Sequence, residues 1–127
     1  MNIGNLFQTG DWKNEKHSPV IEILEKKGDR YTIRVSVGKE IAHPNTTEHH
    51  ISGINVYFLP QGERFTYHIG RFDFPTHGAS IQGANKSTVY TEPDIIFHLK
   101  TEKQGNIFAS AYCNIHGLWS SSTNIKQ

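Results

Sequence analysis

The sequence predicts an all-β fold, an Ig-like antiparallel β-sandwich of about seven strands forming a single domain over residues 1–127. Three observations lead there. Apolar side chains recur at every second position in the clearest runs, no segment holds a helical period, and turn-forming residues return about every ten positions. The paired cysteines of antibody domains are absent, so the sandwich is expected without their disulfide.

Taken in order, residues 1–19 show no period and end in Glu15-Lys16-His17-Ser18-Pro19, an arm leading into the first strand, because proline holds its predecessor extended. Val20 to Glu25 reads as a short strand and Lys27-Gly28-Asp29 as its turn. Tyr31, Ile33, Val35 and Val37 alternate with Thr32, Arg34 and Ser36, the period of a half-buried strand that Gly38 ends. A polar connection, Lys39 to Glu48, carries His43-Pro44. The strand pattern resumes from His49, with Ile54, Val56 and Phe58 on one parity, and stops at the turn Pro60-Gln61-Gly62-Glu63. Phe65, Tyr67 and Ile69 follow, and the parity changes at Gly70 before Phe72 and Phe74, as a bulge would cause. Residues 75–87 read as a long surface loop and Val89 to Thr91 as a short edge strand. Ile95, Phe97 and Leu99 mark the next strand, Glu102 to Asn106 a turn, and Ile107 to Tyr112 the last clear strand, which delivers Cys113 at its end. The tail containing Ser120-Ser121-Ser122 is expected to be frayed or lightly tied down.

A chain of 127 residues can bury about two-thirds of its unfolded surface and fold without disulfides. It has a single cysteine, which forbids an internal bridge and suits a reducing compartment. Met1 to Trp12 lacks the basic head and apolar run of a signal peptide, and no window approaches membrane-spanning length, so a soluble, cytoplasmic protein is expected. Thirteen basic against twelve acidic residues give a formal charge of +1, too even for a general nucleic-acid surface. Eight histidines beside one cysteine are the unusual entry in the composition, and histidine is the commonest metal ligand among side chains.

Chemistry is anchored in Tyr112-Cys113-Asn114-Ile115-His116-Gly117-Leu118-Trp119, which sets a histidine three residues after the thiol. Thiolate and imidazole at that spacing can close on one metal ion; Gly117 lets the backbone turn, and Leu118 with Trp119 can pin the loop against a core. His17, His43 and His49 lie upstream in segments that read as loops or strand ends, giving five candidate ligands. Adjacent strand residues face opposite ways, so His49 and His50 cannot both serve if the strand has begun, and periodicity does not choose between them. Four imidazoles and one thiolate are one ligand too many for a closed zinc site and suit iron or copper. Five ligands around six-coordinate iron leave one position for a small molecule. A blue-copper site is the competitor, demoted because the only methionine is Met1.

Glu15-Lys16-His17 with Pro19, His43-Pro44 followed by His49, and Cys113-Asn114-Ile115-His116-Gly117 together resemble the signature of the superoxide reductases, the neelaredoxin and desulfoferrodoxin group. The resemblance runs over essentially the whole chain, including Val37-Gly38-Lys39-Glu40 and Tyr90-Thr91-Glu92-Pro93. The cysteine-rich N-terminal module of two-iron members is absent, as in the one-iron class. The resemblance implies a mononuclear iron held by nitrogens of His17, His43, His49 and His116 and by an axial sulfur of Cys113. It also selects His49 over His50, leaving His50, His68, His77 and His98 to structural or surface roles.

The activity so implied is one-electron reduction of superoxide to hydrogen peroxide. Lys16 is expected to guide the anion, since a cation beside an open metal position raises its local concentration. Glu15 is expected as a sixth ligand of the oxidised ion, because a hard carboxylate prefers ferric iron. Backbone N–H donors from the turn after Cys113 should moderate the thiolate. The chain offers no second metal site or dithiol, so an external one-electron donor is needed, and the resemblance suggests rubredoxin or a similar carrier and a homotetramer. The rival readings are a cupredoxin-like electron carrier and a non-catalytic metal-binding or redox-sensing module.

Overall fold

In the computed structural model, which describes residues 1–126, two antiparallel sheets face each other. The strands are β1 (Val20–Lys27), β2 (Arg30–Ser36), β3 (Ile51–Pro60), β4 (Tyr67–Asp73), β5 (Asp94–Lys100), β6 (Gly105–Cys113) and β7 (Gly117–Ile125). One sheet has the order β1-β2-β5 and the other β4-β3-β6-β7. A short 3-10 turn, Ile3–Leu6, is the one helical element among the described residues.

The core follows from the alternation seen in the sequence. Tyr31, Ile33 and Val35 of β2 face Ile54, Val56 and Phe58 of β3 and Ile107, Ala109 and Ala111 of β6, all of them buried. Burying each large aliphatic chain contributes roughly 1.5–3 kcal/mol. β5 sits at a sheet edge, so its inward residues Ile95, Phe97 and Leu99 are only half-covered.

Two expectations are corrected. The Ser120-Ser121-Ser122 segment is not a frayed tail: it lies inside β7, paired residue by residue with β6 from Cys113↔Gly117 to Gly105↔Ile125. A polar strand is stable there because its neighbour supplies the backbone partners, and Ser121, opposite buried Ala109, satisfies its hydroxyl by donating to Pro19 O at 2.5 Å. Val89 to Thr91 forms no strand, only a bridge between Tyr90 and His77. The strand count of seven therefore stands with a different member. The bulge expected near Gly70 is present: Val56 pairs with Gly70 and Tyr57 with His68, which leaves Ile69 unpaired.

Registers place the functional segments at one end. Val20 pairs with Ser36 and Ser36 with Asp94 in one sheet, while Ile51 pairs with Cys113 and Cys113 with Gly117 in the other. The arm before β1, the β2–β3 crossover and the β6–β7 turn all emerge there. Gly38 (φ +88°) starts the crossover; a Cβ at this position would lie 2.7 Å from the backbone nitrogen of His43, so only glycine allows the loop to close so tightly.

Ile54→Ala should cost about 2–5 kcal/mol, read as a lowered Tm and denaturant midpoint. Backbone amides of Ser120 to Ser122 that pair with β6 should exchange with solvent as slowly as those of central strands; exchange at the rate of a free terminus would contradict the β7 assignment.

Candidate metal centre

Strand parity positions the thiol. Ile107, Ala109, Ala111 and Cys113 are the inward-facing row of β6, and Cys113, the last of them, has no exposed surface. The turn that follows folds back on it: the His116 backbone N–H donates to Cys113 Sγ at 3.3 Å, and Gly117 (φ +81°) completes the reversal into β7.

Above the sulfur four imidazoles close a ring. Neighbouring centroids are 4.9 Å apart for His17 and His43, 4.9 Å for His43 and His49, 5.1 Å for His49 and His116, and 4.8 Å for His116 and His17. Candidate ligand atoms of His17, His43, His49 and Cys113 all lie within 4.8 Å of one another. His116 stands outside that tight group, yet its Nδ1 is 3.2 Å from His17 Nε2 and 3.9 Å from Cys113 Sγ. All five residues singled out in the sequence thus meet at one place.

The donor set fits a metal ion. The His43 Nδ1–H donates to Pro44 O at 2.6 Å, which leaves Nε2 with its lone pair, and the Nε2 atoms of His43 and His49 are both buried without a hydrogen-bond partner. Each such orphan costs about 1–3 kcal/mol in an interior that offers it nothing else. Burial first, and the nearness of His17, His49 and Lys16 after it, outweigh the Pro44 carbonyl and lower the His43 pKa to about 4. The His49 pKa is lowered by burial first and by His116, His17 and Lys16 after it. Both imidazoles are therefore neutral at physiological pH, the form that ligates metal.

Each irregular segment that carries a candidate ligand is tied down. Asn114 in the β6–β7 turn accepts from the His50 N–H at 2.8 Å and donates to Glu48 O at 2.9 Å, clamping the turn to the crossover. His50 turns away from the ring and stacks on buried His77, with centroids 3.6 Å apart at 5°. His77 Nδ1 faces Asn45 Oδ1 at 2.7 Å, and the Thr47 hydroxyl donates to His77 O at 2.6 Å, so this histidine braces the loop between His43 and His49. No periodicity marks His77 as such a brace; its partners lie about thirty residues away.

Glu15 faces His17 rather than the middle of the ring. Its carboxylate contacts His17 Nδ1 and accepts the backbone N–H of His17 at 2.7 and 2.8 Å and of Ser18 at 2.8 Å. Burial pushes this carboxyl up, but those hydrogen bonds together hold it below the ordinary range. Lys16, half-buried, forms no ion pair among the described residues, and its charge is felt at His43 and His49. A cavity of about 490 Å³ between Leu59–Glu63 and Gln104–Asn106 lies at the opposite end of the sandwich and contains none of these groups.

The same combination of chain and fold occurs in characterised proteins. The desulfoferrodoxin family profile matches residues 9–122. A superoxide reductase of Pyrococcus furiosus is 54% identical over 124 residues, 98% of this chain and 99% of that one. A neelaredoxin of Megalodesulfovibrio gigas is 49% identical, covering 96% and 95%. The solved structure of a reduced superoxide reductase (neelaredoxin) from Archaeoglobus fulgidus superposes with a TM-score of 0.93 at 54% identity, covering 96% of this chain and 99% of that one. With a buried thiol under four imidazoles, and near-complete alignment in sequence and fold, the chain belongs to the desulfoferrodoxin family.

Proposed function

We propose that this protein is a superoxide reductase of the one-iron class. The observation that carries the reading is the ring of four imidazoles over a fully buried thiol, with two Nε2 atoms left without any other partner. His17, His43, His49, His116 and Cys113 would hold the iron, and iron when bound supplies one reversible electron. Superoxide takes that electron and two protons and leaves as hydrogen peroxide, with no dioxygen formed. The cupredoxin-like alternative is not supported, since the relatives are superoxide reductases and a neelaredoxin.

The remaining roles fall to side chains around the ring. Lys16 Nζ, without an ion pair among the described residues, raises the concentration of a small anion at the site and can hold a water that delivers a proton. The His116 N–H donated to Cys113 Sγ withdraws electron density from the sulfur, and would moderate the push a thiolate gives to bound iron so that an O–O bond survives. Glu15 anchors His17 through Nδ1 and, on moving, could offer a hard carboxylate to ferric iron. A rubredoxin-like carrier is the proposed external donor, docking where the exposed His116 turn reaches the surface, and a cytoplasmic homotetramer is the proposed form. No helix among the described residues is long and apolar enough to cross a membrane.

Purified protein should hold one iron per chain and convert superoxide to peroxide without evolving dioxygen; copper in its place, or dioxygen release, would sink the proposal. Cys113→Ser and His43→Ala should weaken iron binding by more than the roughly 10–100-fold that losing an outer-shell partner costs, measured by equilibrium dialysis. Lys16→Ala should slow second-order superoxide capture several-fold at low salt and flatten its ionic-strength dependence, as pulse radiolysis would read. Replacing Glu15 with Ala should alter the ferric absorption spectrum while the capture rate holds; an unaltered spectrum would remove Glu15 from the ferric coordination sphere.

A further inference from the structure

Two of the candidate ligands, on separate segments, share one side chain. His17 lies on the arm before β1, and His116 lies on the three-residue reversal between β6 and β7. The Trp119 indole stacks on His17, with ring centroids 4.7 Å apart at 15°, and its Nε1–H donates to the His116 carbonyl at 3.1 Å. Trp119 itself is held on a strand, opposite Ala111 of β6, and is flanked on its other side by Gln8. Gln8 pairs there through its N–H to Leu118 O and through its carbonyl to the Ser120 N–H, each at 2.9 Å, which also stitches the arm to β7.

We propose that Trp119 is a positioning residue of the metal centre, a strand-mounted bracket that fixes His17 and His116 relative to each other; the proposal rests on the reading of these residues as iron ligands. Packing alone does not ask for this arrangement. An indole N–H needs some acceptor when half-buried, but here it takes the main-chain carbonyl of a ligand. The face of the same ring covers a second ligand. An imidazole that donates to a cation gains positive character, and an electron-rich indole face prefers such a ring to a neutral one. The stack therefore strengthens when metal is bound, and holds the loaded state more firmly than the empty one.

The test uses the iron-loaded full chain and follows release of ferrous iron to an excess of chelator, with Tm recorded for each variant. Trp119→Leu removes both contacts and should release iron about tenfold or more faster. Trp119→Phe keeps a stacking face and loses the N–H, and should fall between Leu and the parent. Ile125→Ala serves as the control: it is buried at the far end of the same strand, so it should lower Tm and leave release unchanged. Release from Trp119→Leu at the parental rate would overturn the bracket, as would release that simply follows Tm through Ile125→Ala. Should Trp119→Leu fail to fold, Trp119→Phe decides, and a parental release rate in it is equally fatal. Release needs no superoxide, so failure here is distinct from failure of the reductase reading, which would appear as an iron-loaded parent yielding no peroxide; a parent that holds no iron sinks both.

Discussion

The site depends on the parity of β6. A strand turns successive side chains to opposite faces, so the row Ile107, Ala109, Ala111 ends with Cys113 facing inward at the open end of the sandwich. A slip of one residue would put Tyr112 there and the sulfur in solvent. Register is pinned on both sides, by Ile51↔Cys113 with β3 and by Cys113↔Gly117 with β7. The central strand of the larger sheet therefore fixes the thiol, and the histidines are arranged around it.

Those histidines come from segments without regular structure, and an irregular segment can hold a ligand in place only if its polar groups are spent elsewhere. The crossover spends them on Asn114, His77 and Thr46, and the arm on Glu15 and β7. Among the described residues five buried polar atoms stay without a partner, Ser18 Oγ, Glu22 Oε1, Ser36 Oγ and the Nε2 atoms of His43 and His49; the last two belong to the ring, with burial favouring the neutral form in both. Two orphaned imidazole nitrogens on neighbouring rings are a local cost of about 1–3 kcal/mol each, tolerated where function requires them. A cation removes that cost, so binding and stability are coupled through the same lone pairs.

Much of this was legible in the sequence for reasons that differ by element. Tyr31 to Val35 and Ile95 to Leu99 declare themselves because one face is apolar and the other is not. β7 does not, since Ser120-Ser121-Ser122 has no apolar alternation and its strand character comes from β6, which no local pattern reports. The five candidate ligands are legible as residue types near strand ends, and resemblance to a family separates His49 from His50. The structure adds the physical reason: β3 begins only at Ile51, and His50 is drawn off by stacking on His77. The Trp119–His17 stack and the Glu15–His17 contact are set by tertiary placement; Trp119 reads only as an anchor for its own loop, and Glu15 only as half of a charged pair.

Glu15 shows how closely ligand and support are linked. Its two oxygens serve the His17 ring and the backbone N–H groups of His17 and Ser18, and those bonds more than offset the burial that would otherwise raise its pKa. A carboxylate that left this position would strand two main-chain donors beside residues that are themselves buried, at about 1–3 kcal/mol apiece. It would also release His17 Nδ1, and with it the restraint that turns Nε2 toward the ring centre. These bonds favour the carboxylate staying with His17, and on the proposed reading a rise of charge at the centre would be what competes with them. If the ring holds iron as proposed, the geometry that orients His17 would make any movement of Glu15 dependent on the oxidation state of that ion.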